Sequence, residues 1–563
     1  MRILLAALVA LSMLMQQPAG DRPAGNTRGT RSVVMARNGA IATSQPLATA
    51  AGLKVLQDGG NAIDAAVTAA AVLSVVEPTM NGPGGDLFAI VYSAKDHKVH
   101  GLNASGRAPA AATLDEFKKR NLQHVPLRGE LSVSVPGVVD GWNELLTKHG
   151  TRTLAQALEP AIRYARDGYA VSEIIAGQWK EVENLLSRDA KTAAVFLPGG
   201  KAPAPGDVFK NPALASSLEQ IAKGGRDVFY KGAIAKAIAD DMQRRNGLLT
   251  AKDLADHHAD WVEPLSTTYR GYQVLELPPN TQGVTALEML NIVEGFDLKA
   301  LGHNTAAYLH VMVEAKKIAF ADRGAWIGDP STTPPKAIER MLSKDYAAER
   351  RKEIDPDKAS EYKALTLTGT AAPPADPEPA GRGDTIYMTA ADSQGNVISL
   401  IQSLYETFGS GIVAGDTGIV LHDRANLFSL TPGHPNQIAP GKRPFHTLVP
   451  AMVMKDGAPW LSFGVMGGDM QAQGHAQVLA NLIDFGMNVQ EAGEAPRFRH
   501  SGNGLALESA FTADARNGLT ARGHHVTGGT GAWGGFQGIL IDPKTRVLMA
   551  GSDPRKDGMA AGW

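Results

Sequence analysis

Apolar residues recur at helical spacing between residues 44 and 77. Leu47, Ala50, Ala51, Leu53 and Leu56 share a face, and Gly59-Gly60 stops that segment. Asn61 then stands as an N-cap, with Ile63, Ala66, Val67 and Ala70 at i, i+3, i+4 and i+7. Two helices packed against each other are predicted. The turn Asn81-Gly82-Pro83-Gly84-Gly85-Asp86 leads into a strand over 87–92. Helices are expected to dominate from 154 to 351, broken by Pro/Gly loops such as 197–205.

The pattern changes at residues 367–384. This stretch, LTGTAAPPADPEPAGRGD, carries no apolar periodicity and reads as an exposed, extended linker. Two β-rich runs follow, 385–391 and 397–403, separated by Asp392-Ser-Gln-Gly-Asn396, which is a hairpin signal. Pairing Ala391 with Val397 puts Thr385 opposite Ser403, with Cβ atoms about 4.5–5.5 Å apart. A slip of one residue would put Gln402 there instead. Near the C-terminus, residues 536–541 read as a strand.

Arg2 precedes an apolar run over 3–15, too short to span a bilayer comfortably and suited to an export signal within residues 1–24. A periplasmic or secreted protein, with no membrane attachment after signal removal, is expected.

Composition narrows the chemistry. The 563 residues are 44% hydrophobic and 20% charged, with a formal net charge of -2. That balance offers no electrostatic handle for nucleic acid. The absence of cysteine excludes disulfides, thiolate metal sites and a cysteine nucleophile. The glycines of a G-x-G-x-x-G pattern, Gly529, Gly531 and Gly534, precede a strand rather than a helix, so they predict a glycine-rich loop. The pairs His257-His258 and His524-His525 have polar or glycine neighbours and no companion ligand spacing. They read as surface histidines, and no metal or cofactor is expected. Amide chemistry here would need a hydroxyl nucleophile with a base close by.

Seven landmarks then appear in order: GGNAIDAAV, MNGPGGD, GDT–IYMTAADSQGN, FGSGIVAG, PGKRP, VMGGD and GSDPRKDG. In order and spacing they resemble the γ-glutamyltranspeptidase family, from about Ala36 to the C-terminus. The resemblance implies an α+β, four-layer αββα sandwich made as one precursor. It implies self-cleavage between Asp384 and Thr385, giving a large fragment (25–384) and a small fragment (385–563) that stay associated. Thr385 would be the nucleophile, and its freed α-amino group the base. Ser403 would be the facing hydroxyl, and Gly467 and Gly468 the donors to the oxyanion.

The same alignment marks departures in the substrate pocket. Ser105 stands where the family's carboxylate-binding arginine is expected, with Arg107 two residues later. Leu427 replaces an acidic residue, Tyr405 an asparagine, and His446-Thr447 a serine pair. The segment between Pro432 and Pro440 is shorter than the lid loop of many members. A buried ion left without its partner costs several kcal/mol, so standard γ-glutamyl recognition is expected to be poor. The reading is therefore an amidohydrolase or acyltransferase acting through an acyl-enzyme on a small amide or peptide, with a different acyl group. Family members that deacylate glutaryl-cephalosporin-like compounds or hydrolyse oxamate illustrate the range. One alternative is a glutathione hydrolase and γ-glutamyltransferase with Arg107 as substitute arginine. The other is an uncleaved, non-catalytic binding homologue.

Overall fold

The computed structural model describes residues 30–367, 372–374, 383–502, 504–528 and 533–563. The proposed export signal, most of the linker, and Gly529 and Gly531 lie outside those residues.

Two seven-stranded sheets form the centre. The strands, in chain order, are β1 (Val34–Ala36), β2 (Gly39–Thr43), β3 (Asp86–Ser93), β4 (Lys98–Ala104), β5 (Asp260–Val262), β6 (Leu265–Tyr269) and β7 (Tyr272–Glu276). They continue with β8 (Asp384–Asp392), β9 (Val397–Tyr405), β10 (Ala451–Lys455), β11 (Ala458–Val465), β12 (Phe536–Ile541), β13 (Leu548–Ser552) and β14 (Met559–Gly562). One sheet runs β1-β13-β12-β11-β10-β7-β6, the other β14-β2-β8-β9-β3-β4-β5. Every pairing in both is antiparallel.

Alternation along the strands explains the layering, because successive side chains point to opposite faces. In β8, Ile386, Met388 and Ala390 join the core around helix α2 (Ala62–Val76). Tyr387 and Ala391 instead pack with Phe88, Ile90, Met452 and Ile539 between the sheets. In the other sheet Val453, Leu461 and Phe463 face helices α3 (Gly283–Val293), α4 (Ala306–Trp326) and α5 (Met470–Ile483). The order helix, sheet, sheet, helix follows, which is the αββα sandwich.

The helices expected near the N-terminus are α1 (Pro46–Gln57) and α2, the latter opened by Asn61 in a reciprocal capping box with Asp64. Every residue of α2 is buried; its run of alanines lets it lie closely on the sheet. Helices dominate 154–351 as expected, and the short strands β5, β6 and β7 also lie within that stretch. β6 and β7 are a hairpin turning at Arg270 and Gly271, both with positive φ (53° and 83°). Along β6, Leu265, Thr267 and Tyr269 turn inward while Ser266 and Thr268 are exposed, a period of two too short to stand out among the surrounding helices.

Both sheets contain strands from before and after the Asp384–Thr385 bond. Neither sheet is complete without both segments. Among the described residues, no helix is long and apolar enough to cross a membrane.

Candidate active site

The site begins with the β8–β9 register. Residue pairs run from Ala391 opposite Val397 to Ile386 opposite Gln402, and then the register shifts so that Asp384 faces Tyr405. Thr385 alone therefore opposes both Ser403 and Leu404, which is a β-bulge. The extra residue pairs elsewhere: Leu404 N–H donates to Met80 O at 2.9 Å, and Asp423 N–H donates to Leu404 O at 3.2 Å. Beyond it Tyr405 adopts φ 81°, a conformation that costs a non-glycine residue about 1–3 kcal/mol.

The bulge holds two hydroxyls together. Thr385 Oγ1 donates to Ser403 Oγ at 3.3 Å, and Ser403 Oγ also accepts the Tyr405 N–H at 2.7 Å. Both side chains are buried.

A glycine pair faces this strand end. Gly467 and Gly468 have φ of 108° and 58°, values that suit glycine and strain other residues. They directly precede α5, whose N-terminus favours negative charge. A Cβ on Gly383 would lie 2.7 Å from Gly468 Cα and 3.1 Å from its N, so the backbone just before Asp384 rests on the pair. Gly383 N–H donates to Glu406 Oε1 at 2.7 Å. Gln282 Nε2 donates to Gly468 O (3.1 Å) and Thr447 O (2.7 Å). Arg323 in turn donates to Gln282 Oε1 and Asp469 Oδ1, each at 2.7 Å. Gly534 backs Gly467 from the other side, so the third glycine of the G-x-G-x-x-G pattern packs against the pair.

Beside the strand lies a buried polar group centred on Asp86. Its carboxylate accepts from Gly106 N–H (2.8 Å) and His446 Nε2 (3.1 Å), and lies 3.0 Å from His422 Nδ1. Burial opposes charge on Asp86, but His422 and His446 outweigh it and hold the carboxyl well below its ordinary range. Burial, reinforced by Arg424, lowers His446 to about 3. Neutral His446 accepts Leu448 N–H at Nδ1 and so carries its proton on Nε2, towards Asp86.

Arg424 is fully buried. One terminal nitrogen donates to Thr447 Oγ1 at 3.0 Å, and Cζ sits 4.5 Å over the Tyr405 ring. Tyr405 and Leu427 share an apolar cluster with Phe445.

Ser105 and Arg107 flank Gly106, which donates to Asp86, but their own side chains bond elsewhere. Ser105 Oγ donates to Asn103 Oδ1 at 2.7 Å and accepts from Asn280 Nδ2 at 3.3 Å. The Arg107 guanidinium donates to His258 O and Asp260 Oδ2, both at 2.9 Å. Among the described residues it has no hydrogen bond to Thr385, Ser403 or Tyr405. The surface reading of the histidine pairs holds for His258 and His525 but not for His257 and His524, which are 4% and 5% exposed. His257 stacks on Tyr230, and His524 Nε2 meets His310 Nδ1 at 2.8 Å beside Glu314. Ring contacts to residues distant in sequence bury them, which neighbouring polarity does not report.

Sequence reasoning missed Glu406, Gln282, Arg323 and Arg424. A charged triplet, His422-Asp423-Arg424, directly after the apolar run 419–421 was the available signal for the last of these.

A threonine at the head of a central strand of an αββα sandwich, faced by a hydroxyl and a glycine pair, defines an N-terminal-nucleophile hydrolase or acyltransferase. The family model described as Gamma-glutamyltranspeptidase matches residues 48–563, and the chain belongs to that family. It is 40% identical to the glutathione hydrolase-like YwrD proenzyme of Bacillus subtilis, covering 92% of this chain and 97% of the relative. It is 37% identical to the acylase ACY 1 proenzyme of Pseudomonas sp. (strain SE83), covering 90% of each. The crystal structure of cephalosporin acylase from Bacillus halodurans superposes with a TM-score of 0.89 at 42% identity, covering 96% of this chain and 99% of that one.

Proposed function

We propose that the chain is an autoprocessed threonine amidohydrolase with Thr385 as nucleophile. The observation that carries this is the pairing of Thr385 Oγ1 with Ser403 Oγ while Gly383 rests on Gly468. In maturation the Thr385 hydroxyl attacks the Asp384 carbonyl, and the acyl group passes from nitrogen to oxygen. Ser403 positions the hydroxyl, and Gly467 and Gly468 supply N–H groups to the oxyanion. Water cleaves the ester, leaving residues 25–384 as large fragment and 385–563 as small fragment, held together by their shared sheets.

Maturation creates the base. The freed α-amino group of Thr385 has an ordinary pKa of about 7.7–8.0, suited to accept the hydroxyl proton near neutral pH. It would pass that proton to the leaving amine as the substrate's amide bond breaks and an ester to Thr385 forms. Water or a second amine then takes the acyl group.

The pocket supports an acyl group other than γ-glutamyl. Leu427, in one apolar cluster with Tyr405, stands where the family's acidic partner for the α-ammonium is expected, and Arg107 is engaged with Asp260. Relatives named as acylases agree with that direction. The apolar run at 3–15 supports export to the periplasm or medium.

The test is Thr385→Ala. It should remain one chain on prolonged incubation and hydrolyse no amide that the parent protein cleaves. A Thr385→Ala protein that still splits at this bond would remove Thr385 from the mechanism.

A further inference from the structure

We infer that Glu406 is a positioning residue for self-cleavage: its carboxylate holds the backbone N–H of Gly383 and fixes the peptide on the far side of the bond that Thr385 attacks. This rests on Thr385 being the nucleophile, and it concerns maturation rather than the substrate.

One strand end reaches both sides of the Asp384–Thr385 bond. On one side, Ser403 Oγ lies 3.3 Å from Thr385 Oγ1. On the other, Glu406 Oε1 accepts the Gly383 N–H at 2.7 Å. The bulge makes the second contact possible. Past it the register pairs Asp384 with Tyr405, which brings residue 406 level with Gly383. A strand continued from Ser403 without the extra residue would carry position 406 out of step with Gly383.

Glu406 is held in place before it holds anything else. Its N–H donates to Asp423 Oδ1 at 3.1 Å, and its carbonyl accepts the Gly409 N–H at 2.7 Å. Arg128 ties down the following turn by donating to Thr407 O at 2.9 Å and to Gly409 O. The residue is 8% exposed. An acceptor already ordered loses little freedom on taking its donor, and a carboxylate makes the stronger kind of bond to an N–H.

A plain ion-pair role does not account for this geometry. Arg128 stands 3.8 Å from Glu406 Oε2, whereas the Gly383 nitrogen is 2.7 Å from Oε1. Gly383 is thus gripped from two directions, its N–H by Glu406 and its Cα side by the Gly468 backbone, at a φ of 56° that suits glycine. Attack needs the hydroxyl and the carbonyl carbon about 3–3.5 Å apart and aligned. A grip on the residue before Asp384 limits how that carbonyl can swing away from Thr385.

Three variants of the full chain separate reach from charge, with splitting followed after cell-free synthesis by denaturing electrophoresis. Glu406→Gln keeps an acceptor oxygen at the same reach and drops the charge, so it should split within about fivefold of the parent rate. Glu406→Asp keeps the charge but is one methylene too short, and Glu406→Ala has neither. Both should be slower by on the order of 100-fold, as for a misplacement near 1 Å. Glu406→Asp at close to the parent rate would overturn the proposal. So would Glu406→Gln as slow as Glu406→Ala, which would give the role to the charge facing Arg128. Melting of the same variants in the uncut Thr385→Ala chain supplies the control. A merely structural role would lower the melting temperature in step with the splitting rate, and that result also overturns the assignment. Should one variant fail to fold, the remaining pair decides on the same terms. Failure of the nucleophile reading registers separately, as a parent chain that never splits before Thr385.

Discussion

Gly383 and Gly468 meet backbone to backbone, with room for no side chain between them. In the proposed mechanism this contact lets the glycine pair assigned to the oxyanion position the bond to be cut. Gly383→Val should slow appearance of the two fragments by at least about tenfold, because a displacement near 1 Å can cost far more than that. Once cut, the variant should match the parent in turnover. An unchanged maturation rate, followed by denaturing electrophoresis, would show that this contact does not position the bond.

Gly468→Ala addresses the oxyanion directly. Its φ of 58° strains alanine, and losing one such donor typically costs about 10²–10³ in kcat. KM should change little. A variant with parental kcat would remove Gly468 from the transition state.

Gln282 acts through others, as a positioning residue joining Gly468 O, Thr447 O and Arg323. Gln282→Ala should lower kcat more than it raises KM, and Gln282→Glu should fail to restore it because the donor to both carbonyls is lost. A purely structural role would instead lower the melting temperature and leave kcat of the folded enzyme intact.

Two titrations should be separable. The α-amino base predicts that kcat/KM rises with pH to a plateau above about 8. His446, held neutral down to about 3, should add no inflection of its own between pH 5 and 8.

Asp423 should appear in stability. Burial first, then the neighbouring Glu406, raises its carboxyl to about 7. The folded chain holds a proton there that the unfolded chain releases near 4. Stability from this group is therefore fully present below pH 4 and is lost as pH rises towards 7. In the uncut Thr385→Ala chain, Asp423→Asn should flatten the fall in denaturation midpoint between pH 5 and 7.5. The same slope in both chains would contradict the assignment.

The sequence carried the local elements well. Asn61 and the α2 periodicity, and the alternation in β8 and β9, are signals contained within a dozen residues. The facing of Thr385 and Ser403 was readable because it is set by hairpin register. The bulge was not, since Leu404 finds its partners at Met80 and Asp423, remote along the chain. Glu406 escaped for a related reason: its reach to Gly383 depends on that bulge. Comparison of motifs drew attention to Ser105, Arg107 and Leu427 instead, and only the packing shows Arg107 committed to Asp260.

Intact mass and N-terminal sequencing of the protein purified at neutral pH test the central claim most directly. The account predicts two chains that copurify, the smaller beginning Thr385-Ile386-Tyr387. A single full-length chain that stays uncut on prolonged incubation, or a small fragment with a different first residue, would contradict it.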